Sequence, residues 1–167
     1  MTTGYTKGFL ADPKKAIYNA GVKVNKVKAF VDVAAADNDG DIKILAFNLP
    51  VDALISRLNV VANSEITAGD DYDFGFYYPS RTSKNEVGAA IDADALADGV
   101  DMSSARTTVT QILGANIAGF DETDTIGDLL GLSVEDQPAG VHLCATLNTA
   151  GTAAGTFDLD IELVCAG

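Results

Sequence analysis

The sequence contains no tryptophan, one histidine (His142), two cysteines and only four prolines. One imidazole and two thiols are too few ligands for a structural zinc site, which takes four nitrogen or sulfur ligands. No apolar run approaches the roughly 20 residues that a membrane-spanning helix needs. The N-terminus also lacks an apolar segment followed by a cleavage site, so we expect no secretory signal. These shortages predict no metal, no cofactor and no membrane partner.

The two cysteines, Cys144 and Cys165, are not expected to form a disulfide. If both lie on alternating strands, they point to opposite faces, and the expected register places Cys144 near Asp160 instead. Two reduced, partly buried thiols are typical of a protein made in a reducing compartment, such as a cytoplasm.

Positive charge is scarce beyond residue 28. Residues 1–28 hold six lysines against one aspartate, a net charge of +5, whereas residues 29–167 hold five basic and 23 acidic residues, a net charge of −18. Phosphate binding needs clustered lysine and arginine, so the acidic body disfavours nucleic acid and anionic membranes. The two parts attract each other, and the basic part is predicted to reach an acidic surface, either on a neighbouring copy of this protein or on another component of an assembly. The alternative is a frayed, solubilising terminus.

Short alternating segments separated by turns predict a mainly β protein. Residues 1–21 have no sustained period and are predicted to be an extended basic arm, followed by a single domain at residues 22–167. Residues 49–63 have some helical spacing, but their β-branched end favours a strand. The other predicted strands are residues 22–33, 42–47, 71–78 and, as an edge strand, 87–91.

The last 27 residues contain the clearest strand signal. In residues 157–163, Phe-Asp-Leu-Asp-Ile-Glu-Leu, apolar and acidic side chains alternate without a fault. This period of two predicts a strand with one face in a core and one in water. Residues 141–147 form a second apolar segment, and the glycine-containing loop at residues 148–156 predicts a hairpin between the two.

Residues 104–134 are the least β-like part of the chain. Ser104 can cap a short helix that carries Val109, Ile112 and Leu113, and Thr123 or Asp124 can cap a second one that carries Ile126, Leu129 and Leu130. We therefore predict an antiparallel β-sandwich, or jelly-roll, with a short helical insertion at about residues 104–134 and an extended N-terminal arm.

No set of residues predicts catalysis. Asp37, Asp39 and Asp41 look at first like a calcium-binding loop, but they do not fit the EF-hand pattern. The glycine, Gly40, is at the fourth position of the loop instead of the sixth, and the twelfth position is Asn48 instead of glutamate. A plain turn is therefore predicted. A small cation site there remains open as an alternative. His142 and Cys144 share a strand face, but nearby carboxylates would raise the thiol pKa and oppose nucleophilic chemistry. The acidic row in residues 157–163 is interpreted as a solvated outer face, with a glycosidase pair as the weaker alternative.

Residues 42–58 contain an apolar strand, a Leu-Pro turn and a second apolar strand. The run continues through the aromatic segment Asp-Tyr-Asp-Phe-Gly-Phe-Tyr at residues 71–77. This run resembles small β-rich virion proteins of tailed bacteriophages, of the head decoration or cement kind. The segments at residues 138–143 and 157–164 fit the same plan. The resemblance covers residues 22–78 and 138–165 and leaves residues 104–134 unmatched.

The resemblance implies a non-enzymatic virion protein on the capsid surface that reinforces the lattice as a symmetric homo-oligomer, for example a trimer. Its partners would be the major capsid protein or other virion subunits. The predicted contact residues come from the arm and the helical insertion; they are Lys7, Lys14, Lys15, Lys23, Ile112, Leu113, Leu129 and Leu130. The alternative is a carbohydrate- or surface-binding β-sandwich module of a tail or cell envelope, which would use Tyr72, Tyr77 and Tyr78 as a stacking platform. An enzyme ranks third.

Overall fold

Two antiparallel sheets pack face to face in the computed structural model, which describes residues 3–5, 22–35, 37–64, 71–83, 86–132, 140–150 and 153–166. Sheet A has the strand order β1-β2-β9-β4-β7, and sheet B has the order β3-β8-β5-β6. The strands are β1 (Thr3–Tyr5), β2 (Val22–Val33), β3 (Ile42–Leu49), β4 (Leu54–Asn63), β5 (Tyr72–Pro79), β6 (Val87–Val100), β7 (Thr110–Gln111), β8 (Val141–Leu147) and β9 (Gly155–Ala166).

The strand pairs are nested in the way that defines a jelly-roll. Leaving aside the short β1, the first strand pairs with the last (β2 with β9), the second with the second-last (β3 with β8), and so on through β4 with β7 and β5 with β6. This is a long hairpin rolled into two four-stranded sheets, the jelly-roll arrangement. The predicted fold class, a mainly β antiparallel sandwich, is confirmed.

One apolar core lies between the sheets, and alternation along the strands supplies it. In β9, Phe157, Leu159, Ile161 and Leu163 are buried, while the intervening acidic residues are partly exposed. The Phe157 ring meets Tyr72 and Phe74 of sheet B edge-on, at centroid distances of 5.4 and 6.4 Å. Burial of each such aromatic side chain contributes about 1.5–3 kcal/mol, so these contacts join the two sheets.

The predicted closing hairpin is wrong. β8 and β9 lie in different sheets, because β8 pairs with β3 and β5 while β9 pairs with β2 and β4. Cys144 consequently lies opposite Ile44 and Gly75, not near Asp160. Alternation identifies the buried face of a strand, but it does not identify the partner strand, and a sandwich connection resembles a hairpin loop in sequence.

The predicted helical insertion is largely wrong. The first predicted helix, after Ser104, is absent from the described residues; turns and the two-residue β7 occupy that segment. Ile112 and Leu113 enter the core from this irregular segment, whereas Val109 is exposed. The Ile112 N–H donates to the Leu58 carbonyl. The second helix exists only as one turn, α1 (Ile126–Leu129), and it is capped by Thr125. Helices this short depend on packing, so tertiary contacts override weak helical signals here.

A wide bulge distorts β6 beside Gly75 of β5. Phe74 pairs with Ala97, and Phe76 pairs with Asp92. A step of two residues along β5 thus corresponds to a step of five residues along β6. A Cβ atom added at Gly75 would lie 2.2 Å from the Asp92 carbonyl oxygen. Only glycine allows the two backbones to approach so closely. Three aspartates of β6, Asp92, Asp94 and Asp98, line one groove.

Candidate functional site

The outer face of sheet A carries facing rows of opposite charge. Lys26 lies opposite Glu162 and Lys28 lies opposite Asp160 along the β2–β9 pair. The Lys26 ammonium is 3.3 Å from a Glu162 carboxylate oxygen, and 60% of the Lys26 side chain remains exposed. The acidic row predicted as a solvated outer face is therefore paired with part of the basic leading segment, which matches the predicted attraction between the two.

Glu162 also accepts a hydrogen bond from the Ser56 hydroxyl at 3.0 Å. Burial by itself would raise the pKa of Glu162, but the Ser56 hydrogen bond and the Lys26 ammonium together lower it. A carboxylate held in its charged form by neighbours on two adjacent strands, β2 and β4, is a structural contact. It differs from the general acid of a glycosidase pair, whose pKa must be raised.

The outer face of sheet B is unusually apolar. All seven residues of β8 are buried, so its outward side chains, His142, Cys144 and Thr146, are covered as well as its inward ones. Ile44 and Tyr77 are buried beside Cys144, and partly buried apolar residues surround them: Ile42, Phe47, Val87 and Ala93. The Tyr77 and Thr146 hydroxyls are hydrogen-bonded at 2.7 Å. This outer cluster extends the core beyond the two inner faces.

His142 has a structural position in that cluster. Its Nδ1 accepts a hydrogen bond from the Asn48 backbone N–H at 3.1 Å, and its ring meets Phe47 edge-on at 5.2 Å. Asn48 has a φ of 51°, in the left-handed region, where β3 is bulged. The histidine thus secures a strained backbone position. Burial raises the pKa of the Cys144 thiol, so it stays protonated, unlike a nucleophilic thiolate.

We predict that His142→Leu destabilises the protein by about 1–3 kcal/mol, because the Asn48 N–H loses its acceptor in a part-buried position. Chemical denaturation at neutral pH measures the change. His142→Gln, which keeps an acceptor oxygen, should recover part of the loss. Equal stability of the leucine variant and the parent would show that this hydrogen bond contributes nothing.

Asp37, Asp39 and Asp41 form the predicted turn. The Asp37 carboxylate accepts from the Ala34 N–H at 2.9 Å and pairs with Lys43 at 2.6 Å, while Asp41 accepts from the Asn38 N–H at 2.7 Å. Burial by itself would raise the pKa of Asp37, but the contacts with Lys43 and Ala34 lower it. Across the described residues, no three His, Cys, Asp or Glu side chains are grouped so that they could hold a metal ion.

An acidic groove of about 450 Å³ lies between β6 and the segment around α1. The pKa of Asp92 is raised, first by burial and then by the neighbouring Asp94 carboxylate. The pKa of Asp98 is raised as well, by loss of hydration and by Asp73 and Asp94. The lining contains no lysine or arginine, and its aspartates are Asp92, Asp94, Asp98, Asp121, Asp124 and Asp128. Negative charge is therefore concentrated on this side of the molecule.

Of the eight predicted contact residues, the structure describes the side chains of four, which are Ile112, Leu113, Leu129 and Leu130. Lys7, Lys14 and Lys15 lie outside the described residues, and only the backbone of Lys23 is described, in β2. Ile112 and Leu113 are buried at 2% and 8% exposure, where the protein's own core surrounds them. Leu129 and Leu130 are partly buried against that core. Contact of these eight residues with a partner stays a prediction.

Two of the three tyrosines in the predicted stacking platform are buried. Tyr72 is 0% exposed and Tyr77 is 4% exposed, whereas Tyr78 is partly exposed. Burial, with a smaller effect of Asp37, raises the pKa of Tyr72 to about 12. The prediction that Tyr72, Tyr77 and Tyr78 together form a sugar-stacking surface is therefore wrong.

In the part of the chain that the structure describes, β3 and β6 are the end strands of sheet B, and β7 is an end strand of sheet A. β1 pairs with β2 at residues 29–31. β6 is the last strand of sheet B, and residues 114–115 cover it only near residues 96–98. The predicted edge strand at residues 87–91 is confirmed, and it extends to Val100.

No protein-family model matches the chain, and no curated protein matches it. Its fold is similar to that of a chain in the structure described as the capsid asymmetric unit of cyanophage Pam1. The TM-score is 0.52 at 13% sequence identity, and the likeness covers 96% of this chain and 97% of that chain. At this identity the likeness concerns the fold alone. In the described part of the chain, no helix has the length and apolar character to cross a membrane.

Proposed function

We propose that this chain is a non-enzymatic virion structural protein that binds and stabilises a phage capsid, in a decoration or cement role. The observation that carries the proposal is the fold likeness to a chain of a phage capsid asymmetric unit, which extends over nearly the whole of both chains. The jelly-roll is a common architecture of viral capsid proteins, although it also occurs in lectins. Fold alone does not define function, so the surfaces must supply the rest of the argument.

The surfaces support attachment. Partly exposed apolar residues on sheet B, the position of β6 as the last described strand of that sheet, and segregated charge are features through which subunits associate. The proposed partners are the major capsid protein or other virion subunits, and the proposed state is a homo-oligomer on the capsid surface. Several weak contacts repeated around a symmetric lattice give durable attachment, because each contact raises the effective concentration of the next.

The basic N-terminal arm is the proposed bridge between subunits. Its only described residues, Thr3–Tyr5, form β1 and pair antiparallel with the edge of β2. A strand of three residues makes few hydrogen bonds, and the same edge on a neighbouring subunit offers equivalent ones. Exchange of this strand between copies would link them without enlarging the core. The lysines of the arm would then meet the acidic body of the neighbour.

Co-sedimentation tests the proposal. The purified chain should pellet with phage heads that lack it, and its binding should saturate at a fixed number of copies per head.

The alternative function, a carbohydrate-binding module, has a candidate surface in a groove of about 500 Å³ beside Tyr78, Pro79 and Arg81. Calorimetry against a glycan panel, with and without Ca²⁺, tests that alternative. Clear glycan binding together with failure to pellet would overturn the capsid role.

A further inference from the structure

The groove beside Tyr78 combines apolar surface with one positive charge. Its volume is about 500 Å³, and it lies where β5 ends and β6 begins. The described residues that line it are Tyr78, Pro79, Ser80, Arg81, Gly88 and Ala89. Five of these six residues are uncharged, so Arg81 supplies the charge of what we call the Tyr78 groove.

Close approach of β5 and β6 keeps Gly88 without a side chain. Tyr77 pairs with Ala90 and Pro79 pairs with Val87, so a step of two residues along β5 corresponds to a step of three residues along β6. The extra residue makes a bulge. A Cβ atom added at Gly88 would lie 2.9 Å from two carbonyl oxygens of β5. Glycine therefore contributes backbone, and not a side chain, to the lining of the groove.

The turn that carries Arg81 is held on both sides of that residue. The Ser80 N–H donates to the Glu86 carbonyl at 2.8 Å, and the Thr82 N–H donates to the Ser80 hydroxyl at 3.3 Å. The Ser80 and Thr82 hydroxyls are also hydrogen-bonded to each other, at 2.9 Å. A turn held in this way loses little conformational freedom when Arg81 binds a ligand, which favours binding.

Arg81 has no partner in the part of the chain that the structure describes. Its side chain is exposed, and it makes no hydrogen bond or ion pair there. By contrast, Lys43 pairs with the Asp37 carboxylate at 2.6 Å, and Arg106 donates to the Asp101 carbonyl. Residues 29–167 have a net charge of −18, so carboxylates are plentiful in this protein. An arginine that none of them engages is available to a carboxylate of another molecule.

We propose that the Tyr78 groove binds a segment of a partner polypeptide in which a carboxylate stands next to an apolar side chain. The Arg81 guanidinium pairs with the carboxylate, because its planar array of N–H groups matches two carboxylate oxygens. The apolar side chain packs on Tyr78 and Pro79. Tyrosine and arginine are enriched among the residues that dominate binding energies at protein interfaces. For the identity of the partner, a virion subunit, the inference rests on the proposed function.

The lining favours an acidic polypeptide over a neutral glycan. A glycan brings many hydroxyls, and each loses hydrogen bonds to water unless the protein replaces them. Besides Arg81, the polar side chains of the lining are the hydroxyls of Tyr78 and Ser80, and the Ser80 hydroxyl is already bonded to Thr82. One guanidinium is sufficient for one carboxylate, whereas it leaves most glycan hydroxyls unmatched.

Selection of random heptapeptides from a display library on the immobilised full chain tests the inference. The enriched peptides should carry Asp or Glu beside an apolar residue. A fluorescent copy of the most enriched peptide then serves as the probe in anisotropy titrations. Arg81→Gln, which removes the charge, and Ala89→Phe, which fills the groove, should each weaken its binding about tenfold or more. Raising the salt concentration should weaken it as well.

Two control variants match these substitutions. Arg57→Gln removes the charge of an exposed arginine on β4, and Ala90→Phe enlarges an exposed alanine of β6 that does not line the groove. Both should bind the probe like the parent. All four substitutions are at exposed positions, and circular dichroism checks that each variant is folded.

A selection that enriches no acidic peptides on the parent relative to Ala89→Phe would overturn the inference. So would Arg81→Gln binding the probe like the parent, or binding of neutral glycans that Ala89→Phe abolishes. Pelleting with phage heads separates the two proposals. A parent that pellets while Arg81→Gln and Ala89→Phe pellet equally well would refute this contact and leave the proposed function intact. Charge-dependent peptide binding by a chain that never pellets would refute the proposed function alone.

Discussion

Deletion of residues 1–21 should abolish co-sedimentation with phage heads and leave the β-sandwich folded. The deletion removes three arm lysines and β1, which covers only three residues of the β2 edge. The core strands lie in the range 22–166, so their packing stays in place. Pelleting assays with the full-length and shortened chains measure the loss of binding, and circular dichroism with thermal melting measures the fold.

A matched variant separates charge from strand exchange. Lys7→Gln, Lys14→Gln and Lys15→Gln together keep the arm and remove its three positive charges. If attraction to acidic neighbours dominates, this triple variant should lose most of the binding; if pairing of β1 dominates, it should keep most of it. Unchanged pelleting of the chain that lacks residues 1–21 would remove the arm from the mechanism.

Gly75→Ala should destabilise the protein by more than about 3 kcal/mol, the upper end of the usual cost of overpacking. The added Cβ would lie 2.2 Å from the Asp92 carbonyl oxygen and 2.5 Å from that of Ala93. Both atoms belong to the backbone of the β6 bulge, so no side-chain rotation relieves the clash. Equilibrium denaturation of the purified variants measures the loss.

Gly119→Ala is the control for this substitution. Gly119 has a φ of +76°, but a Cβ there meets no atom within 4 Å. The Gly119→Ala substitution should lower the free energy of unfolding by only about 1 kcal/mol, because alanine is strained in a left-handed conformation. A Gly75→Ala variant as stable as Gly119→Ala would show that β5 and β6 are not held as closely as described.

The sequence was sufficient to predict strands whose pattern is local. β2 and β9 follow from their alternation, whereas the pair of Lys26 and Glu162 within one chain was not predicted. Alternation depends on residues close together in the chain, so periodicity reports it. The sandwich class follows from the number of short strands and the turns between them.

Long-range pairing could not be predicted in the same way. Residues 148–156 look like a hairpin loop, yet they connect the two sheets, because β8 and β9 find their partners far away in the sequence. Ile112 and Leu113 show helical spacing, but the core takes them from an irregular segment. The end positions of β3 and β7 in their sheets are likewise a consequence of topology, whereas the edge position of residues 87–91 was predicted from the sequence.

Quantitative mass spectrometry of purified virions tests the central proposal most directly. The chain should be present at a copy number that matches the symmetry of the capsid lattice and should stay with the heads through density-gradient purification. Its absence from purified particles, or its presence at a few copies unrelated to capsid symmetry, would contradict a capsid-stabilising role.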